Sequence, residues 1–366
     1  MRSLERERGR ESLNQSLSRI AYAYGFSAPP VHLPKKSLTI PQTSNVKIAA
    51  AVQLLKSKDD AKQRWASVHM GSKGTLVTFA IYAAKHAVAN ALVVKTVMSI
   101  AEAVGLSDIS VLVSSIGDAE SKRRFTRELV NFFKKHSEVI LPEVRELSLH
   151  DPDRAYLLML EKHDPALEKA PKPIDFLSEN SRKAMLETLS LFESVGIPYA
   201  IDPRLSGTIN VTNELLFAVE GSNKKGERSR IAEGGRFDTA LEKLPTGEVA
   251  IAMSMLVERD IEAEAIDEEP ACFVVHVGDV AKLKAFSALE NLWRSGYIVG
   301  QALMGASLRD QILNAQVANT RYVAIIGQRE ALDGTVIVRN LTTQLQVTIP
   351  LDKLAGYIAR TRSRSA

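Results

Sequence analysis

A single cysteine, Cys272, stands in 366 residues. No intrachain disulfide can form and no thiolate cage can hold zinc, so the small disulfide-stapled secreted class is excluded. No apolar run reaches the roughly 18 residues a bilayer-spanning helix needs. The opening MRSLERERGRESL is charged and has no apolar core, which is not the pattern of a secretory leader. Glu5, Glu7 and Glu11 argue equally against an Arg-rich transit peptide. A reducing cytoplasm is therefore the expected location. Charge of one sign is also scarce: 47 Lys and Arg face 43 Asp and Glu, a net +4. That excess permits contact with phosphates without demanding it.

Generic chemical motifs are missing too. There is no GxGxxG or Walker loop, since MGSKGT lacks the spacing, and no GxSxG elbow. The seven histidines never fall into HExxH, so no helical zinc site, and no other metal or cofactor site, is expected from spacing.

What is present is a soluble α/β pattern. At roughly 100–200 residues per domain the length predicts two or three domains. Residues 3–24 read as a helix with Leu4, Leu13, Leu17, Ile20 and Ala21 on one stripe. Gly25, Pro29 and Pro30 end it, and 31–45 read as a loop. A short helix over 46–56 is followed by strand, glycine loop and strand in RWASVHM, GSKG and TLVTFAIYA. Helices are expected over 87–104, 119–136 and 178–195, with a strand in SDISVLVSSIG. Five prolines between 142 and 176 read as punctuation of a loop with a short helix. Five strand candidates then follow in IPYAID, GTINVT, ELLFAVEG, SRIAEGG and EVAIAMSML. They are mostly joined without long helices, which argues for an antiparallel sheet.

The acidic stretch ending at Pro270 reads as a linker, because like charges repel and proline blocks continuation. The division is 1–262, a linker at 263–270, and 271–366. Beyond Pro270, strand and helix alternate from ACFVVHVG to LDKLAGYIAR, the pattern of a small α/β domain with a parallel-leaning sheet.

Several segments, in order, resemble the histidyl-tRNA synthetase family of class II aminoacyl-tRNA synthetases. The clearest is Ser307-Leu308, then Ile325-Ile326-Gly327, Glu330 and Arg339, similar to that family's anticodon-binding domain. RIAYAYGFSAPP resembles the first class II signature, a dimer-building helix and strand. VLVSSIGD resembles the Asn-Ser-Ile-Gly-Asp segment with Ser114 for the Asn, and Gly234-Gly235-Arg236-Phe237-Asp238 the Gly-Gly-Arg-Tyr-Asp loop. IAMSMLVERDIE resembles the third signature. The resemblance implies a class II antiparallel sheet flanked by helices, plus a small C-terminal anticodon-binding-like α/β domain.

The departures carry the functional expectation. Activating an amino acid needs fixed cations around the α-phosphate of ATP. Of three family arginines, the resemblance keeps Arg259 of the third signature. Gly207 falls where a catalytic Arg belongs, and Asn210, Val211 and Thr212 fall where the histidine substrate would be read. Arg204 is near but displaced. The second signature shrinks to Thr78-Phe79. Ala252 and Leu256 replace glycines that let adenine approach the backbone. No catalytic residue is assigned. Arg259, Gly234, Gly235 and Arg236 stand as a remnant nucleotide or histidine pocket, with ATP or histidine binding in doubt. The plainer alternatives are a tight turn at 234–238 with Arg236 on a carboxylate, and an ion pair for Arg259 on a helix start.

Lys73, Lys225 and Arg228, with Arg309, Arg321 and Arg339 of the C-terminal domain, are the candidate RNA contacts; a solvated face is the plainer reading. The expectation is a cytoplasmic, homodimeric, non-catalytic relative that binds tRNA or a protein partner. A regulatory subunit bound to the catalytic subunit of ATP phosphoribosyltransferase, and a divergent active ligase, are the alternatives.

Overall fold

The stripe marked out in the first helix is its buried side. Leu13, Leu17, Ile20 and Ala21 of α1 (Arg2–Ala23) enter the main core. The computed structural model describes residues 2–26, 31–32, 44–56, 63–206, 211–241, 249–259, 269–305 and 307–363. Most of the acidic linker, Gly207, Asn210 and most of GTINVT lie outside the described residues.

After α1 the chain runs β1 (Val31–His32), α2 (Ser44–Lys56), β2 (Gln63–His69), β3 (Thr75–Tyr82), α3 (Ala87–Ala103), β4 (Ser107–Gly117) and α4 (Ala119–Lys135). Then come α5 (Pro142–Ser148), α6 (Pro152–Lys162), α7 (Glu179–Ser194), β5 (Tyr199–Ile201), β6 (Asn213–Ser222), β7 (Arg228–Arg236), α8 (Asp238–Leu241) and β8 (Ala250–Val257). The strands form one sheet of order β1-β2-β3-β8-β7-β6-β4-β5. Every interior pairing is antiparallel; only the edge pairs β1–β2 and β4–β5 are parallel.

Strand alternation gives the sheet two unlike faces. Val77, Phe79 and Ile81 of β3 and Ile251, Met253 and Met255 of β8 point to the helices α1, α3 and α7. Fourteen of the seventeen residues of α3 are buried, most of them apolar, as befits a helix sandwiched on several sides; Asn90, Lys95, Thr96 and Ser99 are the buried polar members. Trp65 stacks on Phe79 at 5.5 Å, and Phe26 meets Phe79 edge-on at 5.0 Å.

The segment 142–176 differs from its expected loop. It contains two helices, α5 and α6, and two 3-10 turns, packed into their own cluster around Phe125, Leu129, Tyr156 and Met159. Pro142, Pro152, Pro165 and Pro173 each stand at the start of one of these helical turns. There the missing N–H costs nothing and the fixed φ is already helical. The prolines begin elements instead of breaking them.

The C-terminal domain consists of β9 (Cys272–His276), α9 (Asp279–Arg294), β10 (Val299–Gln301), α10 (Leu308–Val317), β11 (Tyr322–Ile326), α11 (Gln328–Asp333), β12 (Thr335–Asn340), β13 (Gln346–Pro350) and α12 (Leu354–Ser363). Its sheet order is β10-β9-β11-β12-β13. The first three strands are parallel, and β12 and β13 add on antiparallel.

The two parts share core and hydrogen bonds. Tyr24 O accepts from Gln63 Nε2 at 3.0 Å and from Gln301 Nε2 at 3.0 Å. Tyr24 Oη lies 3.0 Å from Ser99 Oγ and donates to Glu290, whose other oxygen is 3.3 Å from Lys95 Nζ.

Candidate functional site

The face opposite α3 carries Gly235 beside Ala252, whereas Gly234 and Arg236 pair with the helix-facing Met253 and Ile251. Register sets Ala66, Thr78, Ser254, Glu233 and Ala218 side by side across that opposite face. Thr78 Oγ1 and Ser254 Oγ are 2.6 Å apart and both buried. Glu233 is held by Arg230 at 3.2 Å. One end of this face is roofed. Ile48, Val52 and Leu55 of α2 pack on Ala66, Val68, Ala80, Tyr82 and Ala252. Two polar ties fix the roof: Arg64 Nη1 donates to Leu55 O at 2.5 Å, and Tyr82 Oη to Val52 O at 2.5 Å. Ala252 is fully buried beneath it, whereas Leu256, at the uncovered end, is 41% exposed.

Gly234 and Gly235 lie inside strand β7, not in a tight turn. Their lack of a side chain serves strand contact: a Cβ on Gly234 would stand 2.1 Å from Ala252 O, and one on Gly235 2.5 Å from Leu215 O. Arg236 spends its guanidinium on Asp238 (3.3 Å) and on Ala84 O (2.9 Å). Asp238 in turn accepts from Asn213 Nδ2 at 2.7 Å and from Ala250 N at 2.8 Å. Arg259 follows β8 in a bend, not on a helix start. It is exposed and has no ion pair among the described residues. Thr212 is buried, and its carbonyl accepts from Lys122 at 2.8 Å. Arg204 pairs with Glu168 at the surface.

The topology brings Lys73, Lys225, Arg228 and Arg259 to one end of the large sheet. The turns β2–β3 and β6–β7 and the exit of β8 all lie there. Arg228 is already tied to Asp108 (2.8 Å) and Glu220 (3.2 Å). In the other domain Arg321 and Arg339 stand together, since Tyr322 pairs with Asn340. Arg321 lies over the Tyr322 ring at 5.6 Å, and Arg339 Nη2 donates to Gln344. Arg309 is at the far end of α10.

One polar cluster escaped the sequence reading, because its members come from three separate stretches of chain, at 118–121, 178–181 and 214, and no single motif joins them. Asp118 caps α4 and accepts from Ser121 N (2.9 Å) and Ser178 Oγ (2.7 Å). Burial raises its carboxyl, but these bonds outweigh burial and hold it below its ordinary value. Glu214 sits beside it with a left-handed φ of 52°, where β6 shifts register against β4 and β7. Burial pushes the Glu214 carboxyl up, a hydrogen bond to Ser181 opposes, and the Asp118 charge adds to the rise. A folded value above the unfolded one favours the native state at low pH, and that benefit is lost as pH rises through the folded value. Glu214→Gln should therefore raise the melting temperature at pH 7.5, and the gain should vanish near pH 4. Thermal melts at both pH values check this; a lower melting temperature at pH 7.5 would refute it.

This topology, an antiparallel sheet flanked by helices with a second mixed-sheet domain, is a class II synthetase-like fold. The anticodon binding domain family matches residues 271–361. Histidine–tRNA ligase of Thermosynechococcus vestitus is 28% identical over 285 residues, covering 75% of this chain and 65% of that protein. The ligase of Aromatoleum aromaticum is 29% identical over 267 residues, 70% of this chain and 60% of that protein. The matches thus span less than two thirds of those relatives' own lengths. Apo histidyl-tRNA synthetase of S. aureus shares the fold with a TM-score of 0.53 at 20% identity, over 95% of both chains. Across most of its length the chain is similar to histidyl-tRNA synthetases, and residues 271–361 match the anticodon binding domain.

Proposed function

We propose that this chain is a non-catalytic member of its family, a homodimeric binding or regulatory module for tRNA or a protein partner. The state of the sheet face supports this reading. Transferring an adenylyl group requires cations fixed around the α-phosphate in a dry site. On the described part of the face Arg230 is neutralised by Glu233, and Arg236, beside Ile251 on the other side of the sheet, is committed to Asp238 and a carbonyl. Ala252 lies under α2, where adenine would need the backbone. Two missing donors at about 3–4 kcal/mol each would slow adenylate formation by about five orders of magnitude.

The test is histidine-dependent exchange of pyrophosphate into ATP. Label incorporation is expected to stay at the level of heat-denatured protein, while tRNA or a protein partner is retained from native lysate. Exchange at a rate of about 1 per second or more, ordinary for an enzyme, would end the reading. If RNA is retained, a salt series counts the phosphates neutralised. Retention of an ATP phosphoribosyltransferase catalytic subunit would instead identify a protein partner.

A further inference from the structure

A second cleft lies away from the sheet face, where α3, α7 and α9 meet and the two domains adjoin. It encloses about 800 Å³, within the roughly 300–1,000 Å³ of small-molecule sites. Cations reach it from three segments: Lys85 before α3, Arg182 and Lys183 on α7, and Lys282 on α9, with the His86 ring beside Lys85. Arg124, Arg204, Arg228 and Arg329, on other parts of the surface, each hold a carboxylate. In the cleft only Lys282 does, at 3.2 Å from Asp279. Lys85, Arg182 and Lys183 are exposed and have no ion pair among the described residues.

Two long helices begin there, and neither first turn is capped by a side chain. The N-cap of α3 is His86, whose ring makes no cap bond, and that of α9 is Gly278. At α3 the positive end of the helix dipole adds to the side-chain charge, while at α9 the Asp279 carboxylate in the first turn offsets it. Between the cations stand Leu186, Val280 and Leu283, which are 58%, 53% and 36% exposed. A phosphate backbone would gain nothing from these apolar groups, and Glu179 and Glu187 interrupt any continuous basic track.

We propose that this cleft binds a phosphorylated small molecule of nucleotide size. Its phosphates face Lys85, Arg182 and Lys183, and its apolar body lies on Leu186, Val280 and Leu283. Because α7 and α9 belong to different domains, the ligand fixes one domain against the other. The inference does not depend on the sheet face being inactive.

Isothermal titration with ADP and with inorganic tripolyphosphate, at low salt, tests it. Each probe should bind with a stoichiometry of one. The double change Arg182→Glu with Lys183→Glu should weaken both by at least tenfold. Arg123→Glu with Arg124→Glu, the same charge change on α4, should weaken them less than twofold. Leu186→Ser should weaken ADP several-fold and leave tripolyphosphate alone. All four positions changed in the charge variants are exposed, so folding is retained, and circular dichroism verifies it. Absence of binding by both probes at millimolar concentration would overturn the proposal, as would equal losses in the two charge variants.

Discussion

Lys95→Met should lower the unfolding free energy by about 3–5 kcal/mol, the usual cost of removing one partner of a buried ion pair. The Lys95 and Glu290 side chains are 6% and 11% exposed, and their charged groups are 3.3 Å apart. With Lys95 gone, the Glu290 carboxylate keeps the Tyr24 hydroxyl and the exposed Arg294 at 3.7 Å, but loses its closest charge. Burial, and then the Glu290 charge, hold the Tyr24 phenol well above its ordinary value. The tyrosine therefore remains a donor and cannot replace the lost cation. Lys95→Met with Glu290→Leu should recover most of the loss, because it removes both desolvation penalties together. Urea midpoints for the two single variants and the double variant supply the cycle. A loss under about 1 kcal/mol in Lys95→Met would mean that water reaches Glu290 and the pair is a surface contact.

The position of that pair has a structural consequence. Lys95 and Ser99 belong to α3, Tyr24 follows α1, and Glu290 is on α9. The C-terminal domain is thus attached through polar groups taken from three distant stretches of chain. Hydrophobic periodicity placed α1, α3 and α9, because each has an apolar stripe that one window reveals. It could not show that a Lys in α3 and a Glu in α9 would meet. That pairing depends on how two domains dock, and long-range geometry leaves no mark on local spacing.

The candidate pocket divides in the same way. The strand candidates TLVTFAIYA and EVAIAMSML correspond to β3 and β8, and the segments resembling class II signatures fall on adjacent strands. The resemblance also pointed to Ala252 as a position where an adenine-accommodating glycine is absent. What it could not supply was the roof. IAAAVQLL reads as a short apolar helix in any context, and only the fold sets it over Ala80 and Ala252. The sequence leaves Gly234 and Gly235 between a remnant pocket and a tight turn, since turns are where glycine most often signals something. Here the close approach of β8 and β6 excludes a Cβ. The prolines of α5 and α6 were misread for a related reason: proline breaks a helix interior but suits its first turn.

Leu55→Ala should destabilise the protein by about 3 kcal/mol, within the 2–5 kcal/mol spread for buried leucines. Leu55 has no exposed surface and lies in the cluster that seats α2 on the sheet. Its carbonyl also accepts from Arg64, a buried guanidinium whose place depends on the end of α2 staying put. The loss should be uneven. Amide exchange in α2 should speed up markedly while β8 stays protected, because β8 is held from both sides by β3 and β7 whether or not the helix is seated. Equal acceleration in α2 and β8 would mean that the roof and the sheet open as one unit. The variant also separates two causes of the catalytic silence we propose. If the roof alone blocked the face, loosening α2 would let histidine-dependent pyrophosphate exchange appear. If the missing cations are decisive, exchange stays at background, since uncovering Ala252 brings no positive group to the phosphate. The second outcome is expected.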